Sequence, residues 1–130
     1  MSGWTDDELG RIGRATELRL ASLRPDGSLG RYATIWAVVA GDAVYVRSAY
    51  GYDNAWFQRA LQSQAGRIQA GGVERDVSFE PTGPETAADV SAAYHAKYDR
   101  YGSTIVGTVV SPEAVRSTLQ VTPGGTASEV

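Results

Sequence analysis

The sequence predicts an α+β fold built on a small, partly open antiparallel barrel, and three observations carry that expectation. Strand-like stretches come in pairs joined by tight reversals, Gly41-Asp42 and Gly71-Gly72, which are hairpin signals. Amphipathic helical stretches separate the hairpins, giving the order α-β-β-β-α-β-β-α-turn-β. One strand, over about residues 31–40, is apolar on both faces, as expected of a strand covered twice in a small barrel.

The elements follow in order. Thr5-Asp6-Asp7-Glu8 is a capping box, with Trp4 and Leu9 placed as a hydrophobic staple, so a helix is expected over about residues 6–16. Alternating apolar positions predict a strand over about 17–24, ended by the turn Pro25-Asp26-Gly27-Ser28. In the strand over 31–40, Tyr32, Thr34, Trp36 and Val38 share one face, and Ala33, Ile35, Ala37 and Val39 the other; it is expected to be central and buried. A strand over 43–48 completes the first hairpin, and a helix over about 54–64 follows, interrupted by Gly66. The second hairpin pairs 67–70 with 73–80. In its second strand Val73, Arg75, Val77 and Phe79 oppose a wet face of Glu74, Asp76, Ser78 and Glu80. A third helix is expected over about 85–100, with Val90, Tyr94, Lys97, Tyr98 and Tyr101 at three- and four-residue spacing. Residues 105–110 read equally as strand or helix end. Ser111-Pro112 starts a short turn, and a last strand over 117–122 stops at Pro123. A single domain over 1–123 and a tail over 124–130 are expected.

Composition narrows the function classes. A net charge of −3 argues against a nucleic-acid binder. With no cysteine there is no disulfide, thiol nucleophile or thiolate metal site, and the lone His95 excludes a multi-histidine metal centre. No run of apolar residues is long enough to span a membrane and none resembles a signal peptide, so a cytoplasmic protein is expected.

The stretch richest in chemistry is VYVRSAYGYDNAWF, residues 44–57. A strand ends in Arg47 and Ser48, a glycine and aromatic loop follows through Tyr50, Gly51 and Tyr52, and a helix opens at Asp53 or Asn54 with Trp56 in its first turn. A guanidinium and helix N-terminal amides suit a phosphate, and aromatic rings suit a flat π-face. On the strand-end placement Arg47 is expected to be exposed, so its loss should affect a ligand more than folding. Tyr50, Tyr52, Trp36 and Trp56 serve equally as core or interface residues. His95 lies off the apolar stripe of its helix and reads as a surface residue. Lys97 among Tyr94, Tyr98 and Tyr101 reads either as a substrate-facing cluster or as packed rings beside a snorkelling lysine. Glu74 and Asp76 read as a solvated face.

Several stretches, ELRLASLRPDGSLGR (17–31), TIWAVV (34–39), VYVRS (44–48), AGGVERDVSF (70–79) and AAYHAKYDRY (92–101), together resemble a bacterial family of small domains of unknown function. That family is similar to the FMN-binding split β-barrel superfamily, near the deazaflavin-dependent nitroreductases. The resemblance implies a split antiparallel β-barrel of about six strands with three helices, forming a homodimer with FMN or a deazaflavin at the interface and no metal. Arg47, Ser48, Gly51 and Trp56 occupy stations matching the nitroreductase layout, although the loop has no lysine and Asn54-Ala55 replaces a proline before Trp56. Arg31 and Arg67 are candidates for a second basic phosphate ligand. The expected activity is therefore a flavin- or deazaflavin-dependent oxidoreductase acting on a small organic substrate, with cofactor contacts from Arg47, Ser48, Tyr50, Gly51, Asn54, Trp56 and Trp36. The alternative is a cofactor-free barrel that binds a small molecule, including one that steers a cyclisation or isomerisation by confinement. A purely structural or regulatory dimer is a third class.

Overall fold

The computed structural model describes residues 3–49 and 54–124. Helix α1 (Asp6–Arg14) starts on the expected capping box: Thr5 Oγ1 accepts from the Glu8 N–H at 3.1 Å, and the Glu8 carboxylate accepts from the Thr5 N–H at 3.0 Å. It stops before residue 16 because Ala15 is already extended. The strands are β1 (Leu18–Ser22), β2 (Ala33–Ile35), β3 (Ala37–Ala40), β4 (Ala43–Val46), β5 (Ala65–Ala70), β6 (Val73–Pro81) and β7 (Leu119–Pro123). They form one antiparallel sheet in the order β2-β1-β5-β6-β7-β4-β3.

The two ends of that order, β2 and β3, are separated in the chain by Trp36 alone. A single bent segment therefore pairs with β1 on one side of Trp36 and with β4 on the other, and the sheet closes on itself as a split barrel. The continuous central strand expected over 31–40 is corrected here: it breaks at Trp36, occupies the seam, and leaves Arg31 and Tyr32 outside it. The break also raises the count from about six strands to seven. The expected faces survive it. Ile35, Ala37 and Val39 join the barrel core, whereas Trp36, Val38 and Ala40 face an outer apolar layer.

Helix α2 (Ala55–Ser63) brings Phe57 and Ala60 into the barrel core beside Leu20, Ile68, Val77 and Leu119. Gly66 does not interrupt it. The helix ends at Gln64, which takes a left-handed φ of 62°, and Gly66 lies within β5 where that strand presses on β1. A Cβ there would overlap the Ala21 carbonyl, so only glycine fits. Helix α3 (Ala87–Tyr98) is shorter than the expected 85–100, being flanked by 3₁₀ turns Pro84–Thr86 and Asp99–Tyr101. Residues 103–110 settle as helix α4 (Ser103–Val110), which packs on α3 and buries Val106 and Val109. Its β-branched residues read as strand, but the sheet has no place for another strand between α3 and β7. Helix α5 (Pro112–Arg116) is the expected Ser-Pro turn, with Ser111 Oγ accepting from the Ala114 N–H. Among the described residues five α-helices and two 3₁₀ turns thus stand where three helices and a short turn were expected. The expected tail, apart from Gly124, lies outside the described residues. Among the described residues no helix is long and apolar enough to cross a membrane.

Candidate functional site

Breaking a strand takes backbone groups out of a regular ladder, and each then needs another partner. At the Trp36 seam those partners come from α3. Tyr94 donates its hydroxyl to the Trp36 carbonyl at 3.3 Å, and Lys97 Nζ donates to the Ala37 carbonyl at 2.7 Å and to the Ile12 carbonyl of α1 at 3.4 Å. The Tyr98 hydroxyl accepts from the Ala37 N–H at 3.3 Å and lies 2.7 Å from the Thr16 carbonyl. The Trp36 indole stacks on the Tyr98 ring, centroids 3.9 Å apart and planes within 5°. Burial holds the Lys97 ammonium down to a pKa of about 8 and pushes the Tyr98 phenol up to about 12. Both readings of the α3 cluster are thereby refined: the rings do pack, but Lys97 is tied to backbone rather than reaching for solvent.

Beside the seam lies an open cleft of about 480 Å³, lined among others by Trp36, Arg47, Asn54, Trp56, Ile105 and Glu17. The structure thus brings together four residues that the sequence singles out, from the seam, the end of β4 and the first turn of α2. Arg47 is not the exposed strand-end cation expected; its side chain is only 2% exposed. Nε donates to Thr118 Oγ1 at 2.8 Å, Nη1 to Ser91 Oγ at 2.9 Å and the Val109 carbonyl at 3.0 Å, and Nη2 to the Ala87 carbonyl at 3.1 Å. The Tyr94 ring lies 5.5 Å from its guanidinium carbon. Burial lowers the Arg47 pKa, yet a guanidinium has so high a starting value that it stays charged. Among the described residues one Nη2 hydrogen has no protein partner, so Arg47 offers a ligand one N–H rather than a two-pronged fork.

Ser48 is fully buried behind the cleft. Its N–H donates to Ser117 Oγ at 2.9 Å, and its hydroxyl accepts from Asn54 Nδ2 at 2.7 Å. Asn54 also donates to the Ala49 carbonyl at 2.6 Å and makes no side-chain cap on α2, so it joins the exit of β4 to the helix start. Tyr50, Gly51, Tyr52 and Asp53 lie outside the described residues. Of the second basic candidates, Arg67 pairs with Asp76 at 2.8 Å on the outer sheet face, and Arg31 lies in a different cleft. His95 is exposed, pairs with Asp99 at 2.8 Å and does not line the cleft. Glu74 bonds Gln69 on the wet face of the hairpin. Sequence reasoning missed Glu17, Ile105, Thr108 and Val109 as cleft residues. The α4 contribution was hidden by its strand-like composition; the only helical signal was Gly102, which ends α3's trailing turn and opens α4 at a φ of 108°. No group of three or more His, Asp or Glu among the described residues is placed to hold a metal ion.

The fold has solved relatives of low sequence identity. A conserved hypothetical protein, Rv2991 from Mycobacterium tuberculosis, superimposes with a TM-score of 0.57 at 12% identity, over 91% of this chain and 78% of that one. Atu2129 from Agrobacterium tumefaciens str. C58, of unknown function, gives 0.59 at 13% identity over 95% of this chain, which spans 56% of that one. An F420 reductase gives 0.52 at 17% identity over 88% of this chain and 90% of that one. At such identities the likeness is one of fold. No curated protein matches the sequence significantly. A family model described as "Uncharacterized protein conserved in bacteria (DUF2255)" matches residues 8–121, nearly the whole barrel, and the chain belongs to that family.

Proposed function

We propose that this protein binds a flavin or deazaflavin in the tryptophan-lined cleft and acts as an oxidoreductase on a small organic substrate. The observation that carries the reading is the convergence of Trp36, Trp56, Arg47 and Asn54 on one open cleft, in a barrel shared with an F420 reductase. Trp36 is held by its stack on Tyr98, so a flat ring would meet a preorganised aromatic wall. Ile105 and Val109 supply apolar cover, and the remaining Arg47 N–H with the first turn of α2 would receive the anionic end. Ser48 acts indirectly, by fixing Asn54. When bound, the cofactor supplies the hydride chemistry, so the chain needs only to orient it and exclude water. Ile105, half exposed at the cleft, is the kind of apolar residue a second copy would cover, and we infer a homodimer across this face.

Titration with FMN and with F420, followed by tryptophan emission, tests the reading. Binding below about 100 µM is expected, with a smaller emission change in Trp36→Phe and Trp56→Phe. Absence of binding by both cofactors removes the oxidoreductase reading. A strictly monomeric sedimentation profile at high micromolar concentration removes the dimer. One observation favours the cofactor-free alternative: protein groups already fill most of the Arg47 fork. In that case the same cleft takes a small uncharged molecule, and titrations would respond to apolar ligands but not to FMN or F420.

A further inference from the structure

A second cleft, of about 900 Å³, shares no lining residue with the tryptophan cleft and meets it only at the first turn of α2, where Ala55 lines this one and Asn54 and Trp56 the other. Three arginines line it: Arg24 and Arg31 from the two sides of the turn that follows β1, and Arg59 from α2. Among the described residues no carboxylate lines it. The nearest acid in the turn, Asp26, accepts from the Ser28 N–H at 2.9 Å and from the Ser28 hydroxyl at 2.7 Å, which occupies it locally.

Arg11, Arg67 and Arg75 each pair with an acid at 2.8 Å or less. Arg31 and Arg59 make no such pair among the described residues. The turn that carries Arg24 and Arg31 is knit together: the Gly30 N–H donates to the Ser22 carbonyl at 2.8 Å, and the Arg24 N–H to the Ser28 carbonyl at 2.8 Å. A Cβ at Gly30 would come within 3.0 Å of the Ser22 carbonyl, so the glycine lets the turn lie close on β1. Arg24 is further steadied by donating to the Leu29 carbonyl at 3.2 Å. Converging cations on a protein of net charge −3 concentrate anions locally against the overall field. The remaining lining includes Leu23, Pro25 and Ala55, an apolar base for a carbon skeleton.

From this geometry we infer that the Arg24–Arg31–Arg59 cleft is a binding site for a small organic polyanion, one carrying at least two phosphate or carboxylate groups. Three planar guanidinium groups lining one cleft suit spaced anionic groups better than a single charge. The site shares no lining residue with the tryptophan cleft and does not rest on what occupies that one.

Calorimetric titration of the full chain with pyrophosphate, and separately with citrate, tests it. At least one should bind with a dissociation constant below about 1 mM at low salt, more weakly as salt rises. Response to pyrophosphate alone assigns a phosphorylated ligand, and response to citrate alone a polycarboxylate. The double variant Arg31→Gln/Arg59→Gln, changed at exposed side chains, should weaken binding by about tenfold or more, while Arg116→Gln on α5 should leave it unchanged. Absence of binding by both probes, or unchanged affinity in the double variant, overturns the inference.

Discussion

The barrel interior and the layer outside it under α3 and α4 are both buried, but they are built on different terms. The interior cluster holds side chains such as Leu18, Phe57, Ile68 and Val121, whose cohesion depends on shape and apolar area. The outer layer also holds Val38, Val90 and Val106, but it contains Arg47, Lys97 and the hydroxyls of Tyr94 and Tyr98. Those polar groups bond the seam at Trp36, the ends of α3 and α4, and the start of β7. The interior closes the barrel, whereas the outer layer makes it possible for the barrel to have a broken strand and a cleft beside it.

The largest effect that would separate the two regions is at Arg47. Arg47→Ala should cost about 3–5 kcal/mol, from lost volume together with the unpaired Val109 and Ala87 carbonyls. Phe57→Ala in the interior should cost a similar amount. The two should differ on partial repair: Phe57→Leu restores much of the loss, whereas Arg47→Met, of similar volume, restores little. Urea denaturation measures both pairs, and a stable Arg47→Met protein would break the distinction. Next comes Gly66→Ala, which sets a methyl against the Ala21 carbonyl in the β1–β5 pairing. It should destabilise by about 1–3 kcal/mol, as overpacking does, and an unchanged melting midpoint would show that the two strands can part without penalty.

The two regions were also unequally legible in the sequence. Period-two alternation identified the inner face of β6 through Val73, Val77 and Phe79, because one face of that strand is wet. The capping box at Thr5 fixed the start of α1 by purely local chemistry. The seam was not legible. An apolar run on both faces looks the same whether it crosses the middle of a sheet or changes neighbours halfway, and the partners that settle the matter, Tyr94, Lys97 and Tyr98, lie about sixty residues away along the chain. For the same reason Arg47 read as an exposed cation. Its hydroxyl and carbonyl partners sit on α3, on α4 and at Thr118 just before β7, and no local pattern announces them. Trp36, Asn54 and Trp56 were found because aromatic and capping residues stand out by type; α4's side of the cleft was not, because Ile105 and Val109 do not.

A smaller effect is expected at Tyr98. Tyr98→Phe keeps the ring stacked on Trp36 but removes the hydroxyl that accepts from the Ala37 N–H and lies against the Thr16 carbonyl. A loss of about 1–2 kcal/mol is expected. If the outer layer behaved like the interior, with shape alone deciding, the substitution would be neutral in thermal melting.

The effect that reads the outer layer most selectively is the pH dependence owed to Lys97. Its pKa in the folded protein is lowered from 10.5 to about 8 by burial, while the unfolded chain keeps the ordinary value. Between those two values the unfolded chain holds a proton that the folded protein has released. Stability then rises with pH across that window, since it does so wherever the unfolded state binds more protons. Below about pH 8 both states carry the charge and the burial penalty is present in full. Lys97→Met removes this contribution and leaves the tyrosines and arginines in place, so they cancel when the two proteins are compared. Stability of the native protein relative to Lys97→Met should therefore climb from about pH 7 to about pH 10, measured by urea denaturation at each pH. A difference that stays flat would mean that the Ala37 and Ile12 carbonyls compensate the ammonium fully, making the lysine as well accommodated as an apolar residue in the interior. A difference that falls would mean the carbonyls favour the charged form outright, with the folded-state pKa above that of the unfolded chain.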